Sequence, residues 1–164
     1  MVPIPMKLIA DGMLGRLTRW LRLLGYDVEY LHDVLDDELL ALARKEERIL
    51  LTCDLILYRR AKKSGINSFL ITGNDEPEKL ANLAKKFNIR LGVDMSVSRC
   101  PLCNHPIKRV EKSSVIGRLH RTTLEAYDEY WECTECSKIY WRGSHWKKIN
   151  ETLEKAKIIK EKLG

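Results

Sequence analysis

Between residues 6 and 91, short apolar runs alternate with helical periods, and the runs end at or near acidic residues. Lys7-Leu8-Ile9-Ala10 closes on Asp11, after which Met13, Leu14, Leu17, Trp20, Leu21 and Leu24 recur at helical spacing. Gly25 stands at the C′ position of that predicted helix. Val28 to Leu31 reads as a second strand, and Asp36-Asp37-Glu38 opens a helix reaching Glu47. Ile49 to Cys53 is a continuous apolar strand ending at Asp54, followed by a helix to about Ser64. Ser68 to Thr72 reads as a fourth strand, Asp75, Pro77 and Glu78 start a helix through Phe87, and Ile89 to Val93 reads as a short fifth strand. Strands alternating with helices specify an α/β fold with a parallel sheet flanked by helices. Strands this uniformly apolar suit a sheet covered on both faces. The pattern fades over Gly92 to Arg99, which divides the chain into residues 1–95 and 96–164.

The chain has 164 residues, 45% hydrophobic and 32% charged, which excludes a disordered or low-complexity protein. No apolar run reaches the length of a membrane span. Met1-Val2-Pro3-Ile4-Pro5-Met6 lacks the cationic start and apolar core of a signal peptide, so a soluble, cytoplasmic protein without a membrane partner is expected. The net charge of +6 permits a polyanionic partner without demanding one.

In a parallel sheet the carboxyl ends of the strands share one edge, where ligands bind. Asp11, Asp54 and Asp75 follow strands one, three and four, and Asp36 and Asp37 open the helix after strand two. Each also falls where a helix N-cap belongs, and caps alone account for single aspartates. Caps do not require a carboxylate at every junction, however. Several carboxylates at one edge repel unless a cation neutralises them, and Mg²⁺ or Mn²⁺ is the natural cation for hard oxygen ligands. No G-x-S-x-G and no P-loop motif occurs, and Cys53 reads as a small buried strand residue.

Arg16, Arg19 and Arg22 recur every three residues, starting near Asp11. They make either a solvated helix face or a phosphate track leading to the acidic edge. Six of the 12 aromatic residues follow residue 99, among them Tyr130, Trp131, Tyr140, Trp141 and Trp146. Trp131 is expected in a core, while Trp141 and Trp146 are open to either packing or base stacking.

Cys100-Pro101-Leu102-Cys103 and Cys133-Thr134-Glu135-Cys136 lie 29 residues apart. Two C-x-x-C knuckles point to a closed, structural Cys₄ zinc site, with Cys100, Cys103, Cys133 and Cys136 as ligands. The long gap predicts an extra hairpin or loop, and residues 146–163 predict a lysine-rich terminal helix.

Taken together, the run from Ile9-Ala10-Asp11-Gly12-Met13-Leu14-Gly15-Arg16 through Arg22, Asp36-Asp37-Glu38-Leu39-Leu40, Leu51-Thr52-Cys53-Asp54, the two knuckles and Lys138-Ile139-Tyr140-Trp141-Arg142-Gly143-Ser144-His145-Trp146 resembles the Mut-seven C-terminal RNase domain over residues 7–148. Ser137 stands where such ribbons carry Gly. The resemblance implies a PIN-like nuclease fold followed by a zinc ribbon, and metal-dependent cleavage of RNA, with single-stranded RNA as the expected partner. It further implies catalytic roles for Asp11, Asp36 or Asp37, Asp54 and Asp75. Mg²⁺ or Mn²⁺ would sit on Asp11, Asp36 and Asp54, and Arg16, Arg19 and Arg22 would orient phosphates. Two other readings stand beside it: a non-catalytic RNA-binding or adaptor module with the same fold, and a phosphatase using Asp11 as nucleophile.

Overall fold

The computed structural model describes residues 6–164, so the expectation built on Met1 to Pro5 lies outside the described residues. Strands β1 (Lys7–Ala10), β2 (Asp27–Tyr30), β3 (Ile49–Thr52) and β4 (Ser68–Leu70) form one parallel sheet in the order β2-β1-β3-β4. Helices α1 (Gly15–Leu23), α2 (Asp36–Lys45), α3 (Leu55–Lys63) and α4 (Glu76–Phe87) follow the strands in turn. Leu8 packs with the α1 and α4 residues Leu17, Leu21, Leu80 and Leu83, whereas Ile9 packs with Leu39, Ala43, Leu57 and Ala61 of α2 and α3. Successive strand residues point to opposite faces, so the apolar runs feed two cores at once.

The expected fifth strand over Ile89 to Val93 is absent among the described residues. Ile89 and Leu91 are apolar because they plug the α1–α4 core from a loop, and an isolated apolar run cannot distinguish that from a strand. The first helix also starts two residues later than its pattern suggests, because Met13 projects into solvent at 76% exposure. Gly25 ends the α1 region with φ 101°, and a Cβ there would meet the Val97 carbonyl at 3.0 Å. Both the turn and the close approach require glycine.

A second sheet, antiparallel in the order β5-β6-β7, consists of β5 (Ile107–Val110), β6 (Tyr130–Cys133) and β7 (Ile139–Tyr140). The residues between β5 and β6 form a 3₁₀ turn (Lys112–Val115) and a short helix α5 (Arg121–Ala126) rather than a hairpin. They close a small core around Val115, Tyr130 and Ile139. Trp131 is buried beside Met95, Cys100, Ile107 and Cys133, as its sequence context predicts.

Helix α6 (Trp146–Lys162) lies against α4, and Leu153 and Ala156 belong to the core of the parallel sheet. Its lysines therefore do not surround it evenly, since one stripe is apolar.

Arg22 does not extend a phosphate track. It is 6% exposed, and its guanidinium donates to the carbonyls of Val28 at 2.9 Å and Pro101 at 3.0 Å. Asn104 adds a second tie, accepting from the Val28 N–H at 3.0 Å and donating to Asp27 at 2.7 Å. Burial opposes the charge on Asp27, but the bonds from Arg48 and Asn104 outweigh it and hold its carboxyl below the ordinary range. A depressed folded-state pKa gives stability that is complete above the ordinary carboxylate range and fades as acid takes the pH down through it. Arg22→Ala strands the buried Val28 carbonyl and the partly buried Pro101 carbonyl and is expected to lower unfolding free energy by about 2–3 kcal/mol in urea titrations. A loss within the scatter of surface substitutions would remove Arg22 from this role.

Candidate functional site

The chain runs from β1 to β2 on one side and later returns to β3 on the other. The carboxyl ends of β1 and β3 therefore flank the crevice where open α/β sheets bind ligands. Asp11 is the first residue past β1 and Asp54 the second past β3. Asp11 is 7% exposed. Its Oδ1 accepts from the Met13 N–H at 2.9 Å and its Oδ2 from the Thr52 hydroxyl. The same Thr52 oxygen accepts from the Asp54 N–H at 3.0 Å. One buried hydroxyl thus ties the Asp11 carboxylate to the backbone of Asp54, which gives the Thr-x-Asp spacing a physical reason.

Asp54 caps α3, its Oδ1 accepting from Ile56 at 2.8 Å and Leu57 at 3.2 Å, which leaves Oδ2 outside those bonds. Asp11 is not a cap, because α1 begins after Leu14 without a side-chain cap. Asp36 occupies the first position of α2 with Oδ2 3.4 Å from Arg60, and Asp37 pairs with the same guanidinium.

Asp11, Asp36 and Asp54 line one cavity of about 360 Å³, joined by Asp33 and His32. His32 Nδ1 lies 2.8 Å from Asp33 Oδ2. Asp33 went unnoticed in the sequence, although it obeys the rule that singled out Asp11: a carboxylate in the loop just past a strand. No lysine or arginine lines this cavity among the described residues, and Arg60 reaches only Asp36 from outside it, so acidic groups outnumber the cations facing them. The aspartates nonetheless remain apart. Among the described residues, the four knuckle cysteines form the only group of three or more candidate ligands with all ligand atoms within 4.8 Å.

The other candidates fall elsewhere. Asp37 does not line the cavity. Asp75 caps α4 through the Glu78 N–H at 3.0 Å and lines a separate cavity of about 710 Å³ with Arg16, Trp20, Lys79 and Lys148. Edge strand β4 carries Asp75 away from the β1–β3 crevice. Arg19 is exposed. Cys53 is exposed rather than part of a core, yet partial desolvation of its thiol, then the charge of Asp11, push its pKa up, the reverse of an activated nucleophile.

In the second sheet the knuckles face each other. Cys100 Sγ lies 3.7 Å from Cys136 Sγ, and Cys103 Sγ 3.3 Å from Cys133 Sγ. Tetrahedral zinc with bonds near 2.3 Å places its sulfurs about 3.8 Å apart, so four thiolates at this spacing can hold Zn²⁺. Burial disfavours the Cys100 thiolate, but the Tyr140 hydroxyl at 2.9 Å and the knuckle N–H groups outweigh it and bring the thiol down to about 7. Burial and then its neighbouring thiols push Cys103 up to about 12. Such a set does not ionise fully unaided, and a dication supplies the missing charge.

Asn104 and Ser137, one residue past each knuckle, both adopt left-handed backbone, at φ 70° and 63°. The Ser137 position therefore keeps the turn geometry that glycine ordinarily supplies. Ser137→Gly removes about 1 kcal/mol of backbone strain and is expected to raise the melting temperature by roughly 2–4 °C. An unchanged or lower value would contradict this.

The family model of the Mut7-C RNAse domain matches residues 6–153. The chain belongs to the Mut7-C RNAse domain family. No curated protein and no solved structure matches it. The Mut7-C match begins just before β1 and ends inside α6, so it spans the parallel sheet, the four cysteines and the first half of the helix packed on α4.

Proposed function

We propose that the chain is a PIN-type ribonuclease that hydrolyses RNA phosphodiester bonds with Mg²⁺ or Mn²⁺ at the carboxyl edge of the parallel sheet. The observation that carries this reading is the single cavity shared by Asp11, Asp36 and Asp54, with no lysine or arginine in its lining among the described residues. The donors are carboxylate oxygens, the hard ligands these ions prefer. When bound, Mg²⁺ or Mn²⁺ supplies Lewis acidity toward the phosphodiester and acidifies an attacking water.

Asp11 would be the fixed ligand, because its two bonds and burial give it one orientation. Asp54 would offer the oxygen its cap leaves over. Asp36 would turn in from Arg60, and an exposed pair of that kind resists by only about 0–1 kcal/mol. Zinc on Cys100, Cys103, Cys133 and Cys136 would brace the smaller sheet. Arg16 and Arg19 remain the candidates for phosphate contacts.

Thr52 would act by positioning. Thr52→Val keeps the β-branched shape at a fully buried strand end but removes both hydroxyl bonds. It is expected to weaken Mn²⁺ binding and RNA cleavage together by about 10- to 100-fold, as loss of an outer-shell partner does. Unchanged Mn²⁺ affinity in a folded Thr52→Val protein would remove that role. Cleavage of single-stranded RNA in Mn²⁺ by the unaltered chain and by its Asp11→Asn and Asp54→Asn variants tests the whole reading.

A second reading, a zinc-braced RNA-binding module without turnover, rests on the separation of the carboxylates. It predicts salt-sensitive RNA binding and no cleavage.

A further inference from the structure

The ribbon and the end of α1 enclose a third cavity, of about 390 Å³, remote from the acidic one. Leu23 at the end of α1 lines it, whereas the loop before α1 lines the acidic cavity. Gly15 to Leu23 spans about 12 Å along the helix axis. Tyr140, Trp141 and Trp146 supply aromatic wall, and Arg99, Lys138 and His145 are its only titratable nitrogen groups. No aspartate or glutamate lines it, the reverse of the acidic cavity.

The rings are fixed before any ligand arrives. The Tyr140 hydroxyl is bonded to Cys100 Sγ at 2.9 Å. Trp141 lies over Gly143, where an added Cβ would fall 2.9 Å from its Nε1, so glycine is needed for the indole to sit there. Arg142 stands 5.5 Å from the centre of the Trp146 ring. Trp131 is buried in the core with Arg142 5.1 Å from its ring centre, whereas Trp141 and Trp146, packed at the edges of the two small cores, are only half-buried. Packing therefore accounts for Trp131 and does not use up the other two. Rigid aromatic faces with cations beside them match a flat base joined to a phosphate. The cavity also falls in the size range of sites for small ligands.

We infer that this cavity binds a nucleobase of single-stranded RNA, stacked on Trp141 and Trp146, with Lys138 and Arg99 on the adjoining phosphates. The inference rests on the ribonuclease reading for the identity of the polyanion, and it adds an anchor on the ribbon away from the cut. The anchor affects strand binding rather than the chemical step.

The test uses the zinc-loaded Asp11→Asn protein, so that bound RNA stays intact, and follows the anisotropy of a short fluorescein-labelled oligoadenylate. Adding Trp141→Ala is expected to weaken binding by about 5- to 150-fold, the effect of one lost stacking platform. Trp141→Phe retains most of the affinity. Adding Lys138→Ala lowers the slope of log affinity against log salt by about 0.7, one single-strand phosphate contact. Inorganic polyphosphate, which has no bases, binds equally with and without Trp141→Ala. Oligoadenylate affinity unmoved by Trp141→Ala overturns the inference and leaves the cavity to a protein partner. Equal losses for oligoadenylate and polyphosphate also overturn it. Should Trp141→Ala shed zinc, Trp141→Phe and Lys138→Ala decide, and an unchanged salt slope counts against the site. Because binding is read in a background with cleavage greatly reduced, an inactive unaltered chain with Trp141-dependent binding would sink the nuclease reading alone.

Discussion

Asp11→Asn is expected to lower manganese-dependent cleavage of single-stranded RNA by at least about 100-fold, and Asp54→Asn to do the same. Loss of an outer-shell partner costs about 10- to 100-fold, so loss of a ligand oxygen should cost no less. Asparagine matches aspartate in shape. At position 11 it keeps an acceptor for the Met13 N–H, and the Thr52 hydroxyl can reorient, so the fold is retained. At position 54 the amide oxygen still accepts from Ile56 and Leu57 and keeps the cap of α3. Asp75→Asn is the internal contrast. That residue caps α4 in another cavity, so cleavage should change much less. Equal activity in the unaltered, Asp11→Asn and Asp54→Asn proteins would reject the site.

Removing zinc should have the largest structural effect. The cluster around Met95, Cys100, Ile107, Trp131 and Cys133 is small, and two of its five buried members are proposed ligands. Structural zinc contributes about 10–16 kcal/mol of apparent binding energy in small zinc-finger peptides at neutral pH. That exceeds what so few buried side chains supply. A strong chelator, or Cys133→Ser, is therefore expected to unfold the β5–β7 region and to shift Trp131 fluorescence toward that of a solvated indole. The parallel sheet keeps its own two cores. Thiolate ligands must be deprotonated, so zinc bound there is expected to be held at neutral pH and released as pH falls. A zinc-free chain with unchanged Trp131 fluorescence and cysteine reactivity would contradict this.

Much of the architecture was legible because a parallel sheet imposes its period on the chain. Leu8 and Ile9 serve opposite cores, and that requirement writes a continuous apolar run. The same logic failed at Ile89 to Val93, where loop residues plug a core and look like a strand. The knuckles were readable because zinc demands four ligands at fixed spacing. The arginine track was only half readable. Arg16, Arg19 and Arg22 share a spacing, but Arg22 is drawn inward by the carbonyls of Val28 and Pro101, one of them 79 residues away. No local pattern reveals a partner at that distance. Asp33 differs: its position just past a strand was the available signal, and a left-handed turn, φ 58°, after β2 sets its place at the cavity. Thr52 hid in plain view, since a buried threonine in an apolar strand is ordinary until its hydroxyl is found between two acids.

Carboxylates from separate strand–helix units are expected to meet around one divalent ion. Anomalous diffraction from a crystal soaked in Mn²⁺ measures this directly. A manganese peak is expected in the crevice between β1 and β3, ligated by Asp11 and Asp54, with Asp36 turned away from Arg60 toward it. A crevice without manganese, with Asp11 and Asp54 bonded only to Met13, Thr52, Ile56 and Leu57 and Asp36 still on Arg60, would contradict it.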